Sequence, residues 1–519
     1  MVGLLDIPVE IMQAILACLP ADSLLDLFPT CRSLNYLSTS ALLEHHGIRD
    51  PTNCTFDLYN DIPGSPLKAD ALSALLAGDH IKRMKFLQCN FKTLWYWRGS
   101  WLASQPLRRL HRLVQRLSSI DEVILFFDIY GEIVLDDAYL KSGVDILQNL
   151  LNTIITKSCK ALRIINPGRF FGESYVFSQP DSGSSITQAF RRFVHRNDLP
   201  DWQYKRDNSK GTRLFLTCSP AALQKVALTE IEIGAISLFT PPCSNWTFTM
   251  LKQSRVKTLN LDLTWPESGY TPAERSLILS RLVAAVPASV KFLRIVGVTH
   301  ILETLSFIAQ LPPLETLDFS LWPWKVGLSD EFTTTSLPIV LNMETICAPA
   351  EMLFSMFSRS LTVPRLRDIF LGFYINKEGM FDITTTATSI ARLRDSAGPN
   401  VDIFPVIFME SVPPSMESLC NGIQPICPIW EQEFFKFTTV MLVGPMTLLD
   451  SPNTFRIILG LLTLFAGIRG LSIKLKPSPD VDPIPIHLEP WVVKAILNRS
   501  PNITIILFNE VAQSIIQLE

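Results

Sequence analysis

A short apolar pattern recurs along most of this 519-residue chain and limits its fold more than any other feature. In each copy an apolar residue is followed by two other residues and then by an alternating apolar pair, as in Leu228, Ile231 and Ile233. Such a pair places two side chains on one face of a short strand. Equivalent copies begin at Ile120, Val256, Val290, Leu314, Leu366, Phe437 and Ile468. Weaker copies are the pairs Leu162 with Ile164, Ile346 with Ala348, and Ile505 with Leu507.

Segments in which apolar residues have a helical spacing separate many of these strands. They are Gly143–Thr156, Pro272–Val286, Ile301–Gln310, Ala350–Leu361, Thr454–Ala466 and Trp491–Asn498. Alternating strands and helices favour parallel strands that are joined by right-handed crossovers. Successive strands are separated by roughly 20 to 35 residues, which overlaps the period of about 20 to 29 residues in leucine-rich repeats.

Residues 119–519 therefore resemble an irregular leucine-rich-repeat solenoid, an α/β fold with parallel strands and outer helices. The asparagine that is typical of that family's turns is absent. The matching positions hold Asp128, Ile236, Thr264, Val298, Trp322 and Tyr374. The steps from residue 164 to 231 and from 371 to 440 are too long for one repeat, so they indicate insertions or copies that the pattern misses. Another α/β architecture with a parallel sheet is the alternative.

The first forty-odd residues have a different pattern, which predicts three short helices. Pro8 suits a first helical position, and Ile11, Ile15 and Leu19 then recur on one stripe until Pro20 ends the helix. Met12 and Leu16 form a second stripe beside the first. A unit of this size is marginal alone and has more apolar face than it can bury, so we expect one stripe to remain exposed as an interface.

This segment resembles an F-box, the adaptor-binding module of Skp–cullin–F-box ubiquitin ligases. The family pattern runs roughly L-P-x-E-I-L-x-x-I-L-x-x-L-P and then L-L-x-L-x-x-V-C-R. The matching residues are Ile7, Pro8, Glu10, Ile11, Met12, Ile15, Leu16, Leu19, Pro20, Leu24, Leu25, Leu27, Cys31 and Arg32. The spacing needs no gap. Pro29 departs from the pattern and should shorten the second helix, because proline cannot donate a backbone hydrogen bond.

The resemblance implies a substrate receptor that docks on a Skp-type adaptor, and through it on a cullin ligase, while the solenoid holds an unknown target protein. The implied domains are an F-box at 1–48, a helical linker region at 49–118 and the solenoid at 119–519. Such a chain raises the effective concentration of its target and performs no bond chemistry itself. The adaptor-binding residues that it implies are Ile7, Pro8, Ile11, Met12, Ile15, Leu16, Leu24, Leu25 and Leu27.

Composition and motifs exclude several other classes of function. A net charge of −3 lacks the basic excess that phosphate neutralisation of a nucleic acid requires. The ten cysteines are scattered without any C-x-x-C, and no catalytic or nucleotide-binding motif is present. No apolar stretch reaches the length of about 20 residues that a membrane span needs. We therefore expect a non-enzymatic protein of the cytoplasm or nucleus, without cofactor, metal, nucleic acid or membrane.

Candidate target-binding residues follow from the strand predictions and from tryptophans, which are common at interface hot spots. They are Asn260, Asp262, Arg294, Asp318, Ser320, Lys474, Trp322 and Trp324. Two arginine groups share a helix face by their spacing, and each is either a site for an acidic or phosphorylated peptide or a solvated face. These groups are Arg108, Arg109, Arg112 and Arg116, and Arg191, Arg192 and Arg196.

Two other functions stay open. One is a repeat scaffold for protein–protein interaction, whose F-box-like helices cap the solenoid without ligase assembly. The other is a hydrolase or transferase on an unrecognised α/β fold.

Overall fold

The computed structural model of the chain describes residues 7–59, 70–92, 101–128, 137–166, 176–178, 203–205, 216–265, 270–319, 339–357, 361–375, 383–409, 433–434, 436–445, 452–476 and 487–513. The chain divides into two compact units, Met1–Val290 and Lys291–Glu519.

The first unit opens with three helices and continues with parallel strands that alternate with helices. The helices are α1 (Val9–Ala17), α2 (Ala21–Leu27), α3 (Arg32–His45), α4 (Ala71–Ala77), α5 (Trp101–Arg116), α6 (Asp137–Thr156), α7 (Pro220–Gln224), α8 (Ser244–Gln253) and α9 (Pro272–Ala285). The strands are β1 (Asn53–Tyr59), β2 (Arg83–Lys92), β3 (Ser119–Asp128), β4 (Ala161–Ile165), β7 (Glu230–Gly234) and β8 (Thr258–Asp262). A separate antiparallel pair consists of β5 (Val176–Ser178) and β6 (Gln203–Lys205).

The recurring pattern is the reason why the strands of the first unit stack in register. Val123 pairs with Leu162, Leu162 with Ile231, and Ile231 with Leu259. All of these side chains are completely or almost completely buried, so one face of the sheet is a continuous apolar core. Burial of this row, rather than a turn asparagine, holds the repeats together.

The second unit repeats the arrangement. Its strands are β9 (Phe292–Val296), β10 (Thr316–Asp318), β11 (Thr345–Pro349), β12 (Asp368–Ile375), β13 (Asp402–Met409), β14 (Thr439–Pro445), β15 (Gly470–Lys476), β16 (Ile505–Phe508) and β17 (Val511–Ala512). Its helices are α10 (Ile301–Ala309), α11 (Ala350–Phe357), α12 (Ile383–Ala397), α13 (Pro452–Leu462) and α14 (Pro490–Arg499). Neighbouring strands are parallel except for the antiparallel β16–β17 pair.

The predicted fold class is confirmed: a short helical trio precedes an irregular α/β array that resembles leucine-rich repeats. The register again joins pattern residues, since Leu317 pairs with both Leu293 and Ile346, and Ile346 pairs with Ile369. In each unit the strands lie side by side in the order of the sequence, as in a solenoid.

The interpretation of residues 49–118 as a helical linker is corrected. This segment contributes β1 and β2, which pair in parallel with each other, and β2 also pairs with β3. Its core positions follow the same pattern, with Met84, Leu87 and Cys89 buried. Methionine and cysteine are weak indicators of a strand, so the sequence pattern began two strands too late, and the array starts at Asn53.

Two other expectations about the strands change. The pattern at the last parallel strand is shifted by one residue, because Ile506 and Phe508 are buried whereas Ile505 is 55% exposed. Strand β13 fills the long step between residues 371 and 440. In the step from 164 to 231, by contrast, β4 pairs directly with β7, so the residues between them are an insertion.

Candidate protein-binding surfaces

The core of the helical trio is built from one stripe of α1 together with buried residues of α2 and α3. Met12, Leu16 and Leu24 are 5%, 1% and 0% exposed. Met12 and Leu16 are four residues apart, so they share the side of α1 that faces its neighbours. These three residues, which the F-box resemblance assigned to the adaptor, are instead the trio's own core, because helices this short need all of the buried area they can form.

The other stripe of α1 remains exposed. Val9, Ile11 and Ile15 are 50%, 54% and 44% exposed, and Pro8 before them is also exposed. We call Pro8, Val9, Ile11 and Ile15 the α1 strip. Ile7, Leu25 and Leu27 are partly exposed. The structure thus separates the predicted adaptor residues into an inner set and an outer set, and only the outer set is available to a partner.

Pro29, the residue that departs from the F-box pattern, lies in the turn after α2. Helix α2 ends at Leu27, and the Thr30 hydroxyl donates to the Leu27 carbonyl at 2.6 Å. Helix α3 begins only at Arg32. The proline therefore shortens the second helix as expected, and it does not disrupt the trio.

The third helix of the trio is fastened to the first repeat. The Asn35 side-chain amide donates to the Ala77 carbonyl of α4 at 2.9 Å, and the Tyr36 and His80 rings lie 4.6 Å apart. At Gly78 any Cβ would lie 2.8 Å from the Thr39 methyl group, so glycine permits the close approach. Burial lowers the pKa of His80, and nearby Arg116 lowers it further.

Helix α4 is held in turn by two arginines of α5. Arg109 donates to both carboxylate oxygens of Asp70, the residue that caps the start of α4, at 2.9 and 2.6 Å. Arg116 donates to carbonyls at the other end of α4, including that of Gly78 at 2.9 Å. The expected common arginine face is therefore wrong, because Arg109 and Arg116 bind α4 while Arg108 and Arg112 are exposed. Arg191, Arg192 and Arg196 lie outside the described residues.

The sheet face opposite the core is charged in the first unit. Arg163 of β4 lies 3.2 Å from Glu122 and 3.0 Å from Glu230, with Glu232 3.8 Å away. Each of these side chains is about one third exposed, at 28% to 33%. A single guanidinium thus lies close to three carboxylates, so the part of the face around Arg163 has a net negative charge.

Two predicted target-binding residues lie on β8 of this same face. Asn260 is the register partner of Glu232, and its side-chain oxygen is buried without a hydrogen-bond partner among the described residues. Asp262 accepts a hydrogen bond from the Thr264 amide at 2.8 Å. Their placement between buried leucines confirms the strand prediction; their role in binding stays a prediction.

The remaining target-binding candidates belong to the second unit. Asp318 is only 7% exposed, and its carboxylate is 2.7 Å from the exposed Arg294, so it is paired within the sheet rather than open to a target. Lys474 pairs with Glu510 at 2.6 Å. Ser320, Trp322 and Trp324 lie outside the described residues.

The second unit has an apolar surface on the face opposite its core, which sequence reasoning missed. We call Phe370, Phe404, Phe408, Met441 and Leu507 the aromatic face; all five are partly exposed. The Phe370 and Phe404 rings are stacked, with centroids 5.1 Å apart. The sequence did contain a signal for this surface. Where the residue between two core positions of the pattern is also apolar, both faces of the strand are apolar.

Burial makes four of the described cysteines poor nucleophiles. Burial raises the pKa of Cys54, Cys159, Cys218 and Cys347 to about 12, so these thiols stay protonated and unreactive at neutral pH. The described ranges contain no group of three or more His, Cys, Asp or Glu side chains placed to hold a metal ion. No helical segment in the described part of the chain combines the length and apolarity that a bilayer crossing needs.

No protein-family model and no curated protein matches the chain. A solved structure that it resembles is the leucine-rich repeat-containing protein LegL7 from Legionella pneumophila. The identity is 14% and the TM-score is 0.34, over 58% of this chain and 93% of that chain. The strand order and register described above define the leucine-rich-repeat-like array.

Proposed function

We propose that the chain is the substrate-recognition subunit of a Skp–cullin–F-box type ubiquitin ligase. The single observation that carries this proposal is the α1 strip, where Ile11 and Ile15 are 54% and 44% exposed on a helix whose sequence resembles an F-box. Exposed apolar patches of this kind mark surfaces that a partner covers. The chain itself performs no bond chemistry in this role.

The attachment of the trio to the first repeat supports the same role. A receptor that presents its target to an enzyme elsewhere in the assembly benefits from a fixed orientation, because effective concentration falls when the link is loose. Asn35 joins α3 to α4, and Arg109 joins α5 to α4, each through a hydrogen bond of 2.9 Å.

The second candidate is a scaffold without ligase assembly, in which the trio caps the repeats. The packing of α3 against α4 favours this candidate as well, since a terminal repeat needs a covering element. A cap, however, gives no reason for Ile11 and Ile15 to remain exposed.

The experiment compares adaptor capture by the full chain and by matched variants. Purified chain is mixed with a purified Skp-type adaptor, and binding is measured by calorimetry or co-elution. We expect the double variant Ile11→Glu, Ile15→Glu to abolish binding, and the double variant Ile7→Ala, Pro8→Ala to do the same. The matched control is Leu302→Glu, since Leu302 is a 38% exposed leucine on a helix of the second unit.

All variants should unfold in urea at the same midpoint as the natural chain, because none of the changed side chains is buried. An adaptor that does not bind the natural chain, or that binds the double variants equally well, would contradict the proposal and favour the scaffold.

A further inference from the structure

The aromatic face is a described surface that neither the fold nor the helical trio accounts for. Its residues continue from strand to strand: Phe370 is the register partner of Phe404, and Phe408 is the partner of Val443. Apart from Asp368 and Asp402 at one edge, the charged side chain described on this face between Phe370 and Leu507 is Lys474, which is paired with Glu510. Away from that edge, a surface of this composition attracts apolar side chains.

Strand β15 contributes small residues to this face, and Ser472 is only 7% exposed. Gly470 and Ser472 are the residues that β15 presents here, and Ser472 lies in register between Met441 of β14 and Leu507 of β16. Two large side chains therefore flank a small one. A partner's aromatic or large aliphatic side chain that packs here gains contact with both large side chains.

One edge of the face carries two acidic residues. Asp368 and Asp402 stand side by side where β12 and β13 begin, as register partners. Neither carboxylate pairs with a cation in the described part of the chain; Asp368 only accepts a hydrogen bond from the Thr345 hydroxyl, at 3.5 Å. Adjacent like charges on neighbouring strands are unfavourable, so a cation placed between them relieves repulsion.

We propose that the aromatic face binds a segment of the target protein in which a lysine or arginine is combined with aromatic or large aliphatic residues. The basic side chain lies over Asp368 and Asp402, and the apolar side chains cover Phe404, Met441 and Leu507. This inference rests on the proposed function, since it names the chemistry of the target that the receptor holds.

The test uses a displayed library of short random peptides, selected against the immobilised full chain. Enriched peptides are synthesised, and their affinities are measured by fluorescence anisotropy. We expect the enriched sequences to combine a basic residue with two or more aromatic or large aliphatic residues. Phe404→Ser should weaken their binding by about tenfold or more, as for a central hot-spot residue. Asp402→Lys should weaken it by about threefold or more, and most for the peptides with the most basic residues.

The matched control is Phe126→Ser, which removes a partly exposed phenylalanine from β3 of the first unit and should leave affinity unchanged. Met441→Ser and Leu507→Ser provide a second pair of variants if Phe404→Ser lowers the urea midpoint of the chain. Enrichment of acidic peptides, or a library without any binder that is sensitive to these substitutions, would overturn the proposal.

The peptide-binding test can fail or succeed independently of the adaptor-capture test. The double variant Ile11→Glu, Ile15→Glu should bind the peptides normally, and Phe404→Ser should still capture the adaptor. Failure of peptide binding with intact adaptor capture therefore refutes the aromatic face alone.

Discussion

The two units of this protein use the same buried pattern, but their strands carry chemically different side chains on the face opposite the core. In the first unit Arg163 is surrounded by carboxylates at 3.0 to 3.8 Å. In the second unit the corresponding surface carries the stacked rings of Phe370 and Phe404. The comparison shows that burial on one face determines the fold, while the residues between the core positions are free to determine what the surface attracts.

The largest expected effect tests whether the fold depends only on the buried face. Leu442 is completely buried on β14, and its neighbour Met441 is partly exposed on the opposite face. Leu442→Ala should lower the free energy of unfolding by about 2 to 5 kcal/mol, because it leaves a cavity. Met441→Ala should cost about 1 kcal/mol or less, since surface substitutions remove little buried area. Urea unfolding measures both, and equal losses would break the comparison.

A smaller effect tests the charged face of the first unit. Arg163→Gln leaves Glu122, Glu230 and Glu232 without their shared cation. We expect a loss of about 1 to 2 kcal/mol at low ionic strength, as each partly exposed ion pair contributes up to about 1 kcal/mol. Added salt should reduce this loss because it screens the repulsion between the carboxylates.

The control for that substitution is Lys474→Gln in the second unit, which removes a single exposed pair with Glu510 and should cost less. If the loss of unfolding free energy in Arg163→Gln does not change with salt, that loss comes from packing rather than from charge.

The smallest expected effect is a pH dependence of the first unit. Burial lowers the pKa of both His80 and His111, so the folded chain resists protonation that the unfolded chain accepts near pH 6.5. This contribution to stability is complete above about pH 6.5 and is lost as the pH falls through that value. The urea midpoint should therefore decline between about pH 7 and about pH 5.

The double variant His80→Gln, His111→Gln should show a shallower decline over the same range. A decline as steep as in the natural chain would mean that other groups are responsible.

Much of the fold was predictable from sequence because one physical requirement, burial of an alternating pair, recurs in the same form. The prediction failed where that requirement is met by unusual residues or in another register. Met84 and Cys89 fill core positions as well as leucine does, and Ile506 rather than Ile505 points inward. Insertions such as the one after β4 are not repeats, so periodicity carries no information about them.

The binding surfaces were predictable only in part. Sequence identified the helices of the trio, but only packing could show that Met12 and Leu16 point inward while Ile11 and Ile15 point outward. The aromatic face depends on which residues of separate strands become neighbours, and a spacing pattern that records only core positions does not contain that information. The pairing of Asp318 was not predicted for the same reason, since its partner Arg294 lies on the adjacent strand.

Hydrogen–deuterium exchange of the full chain, with and without a purified Skp-type adaptor, tests the central claim most directly. The account predicts that the adaptor slows exchange across α1 and α2 and leaves the strands of both units unchanged, because the α1 strip is the surface that it covers. Unchanged exchange in α1, or protection confined to the repeats, would contradict the account.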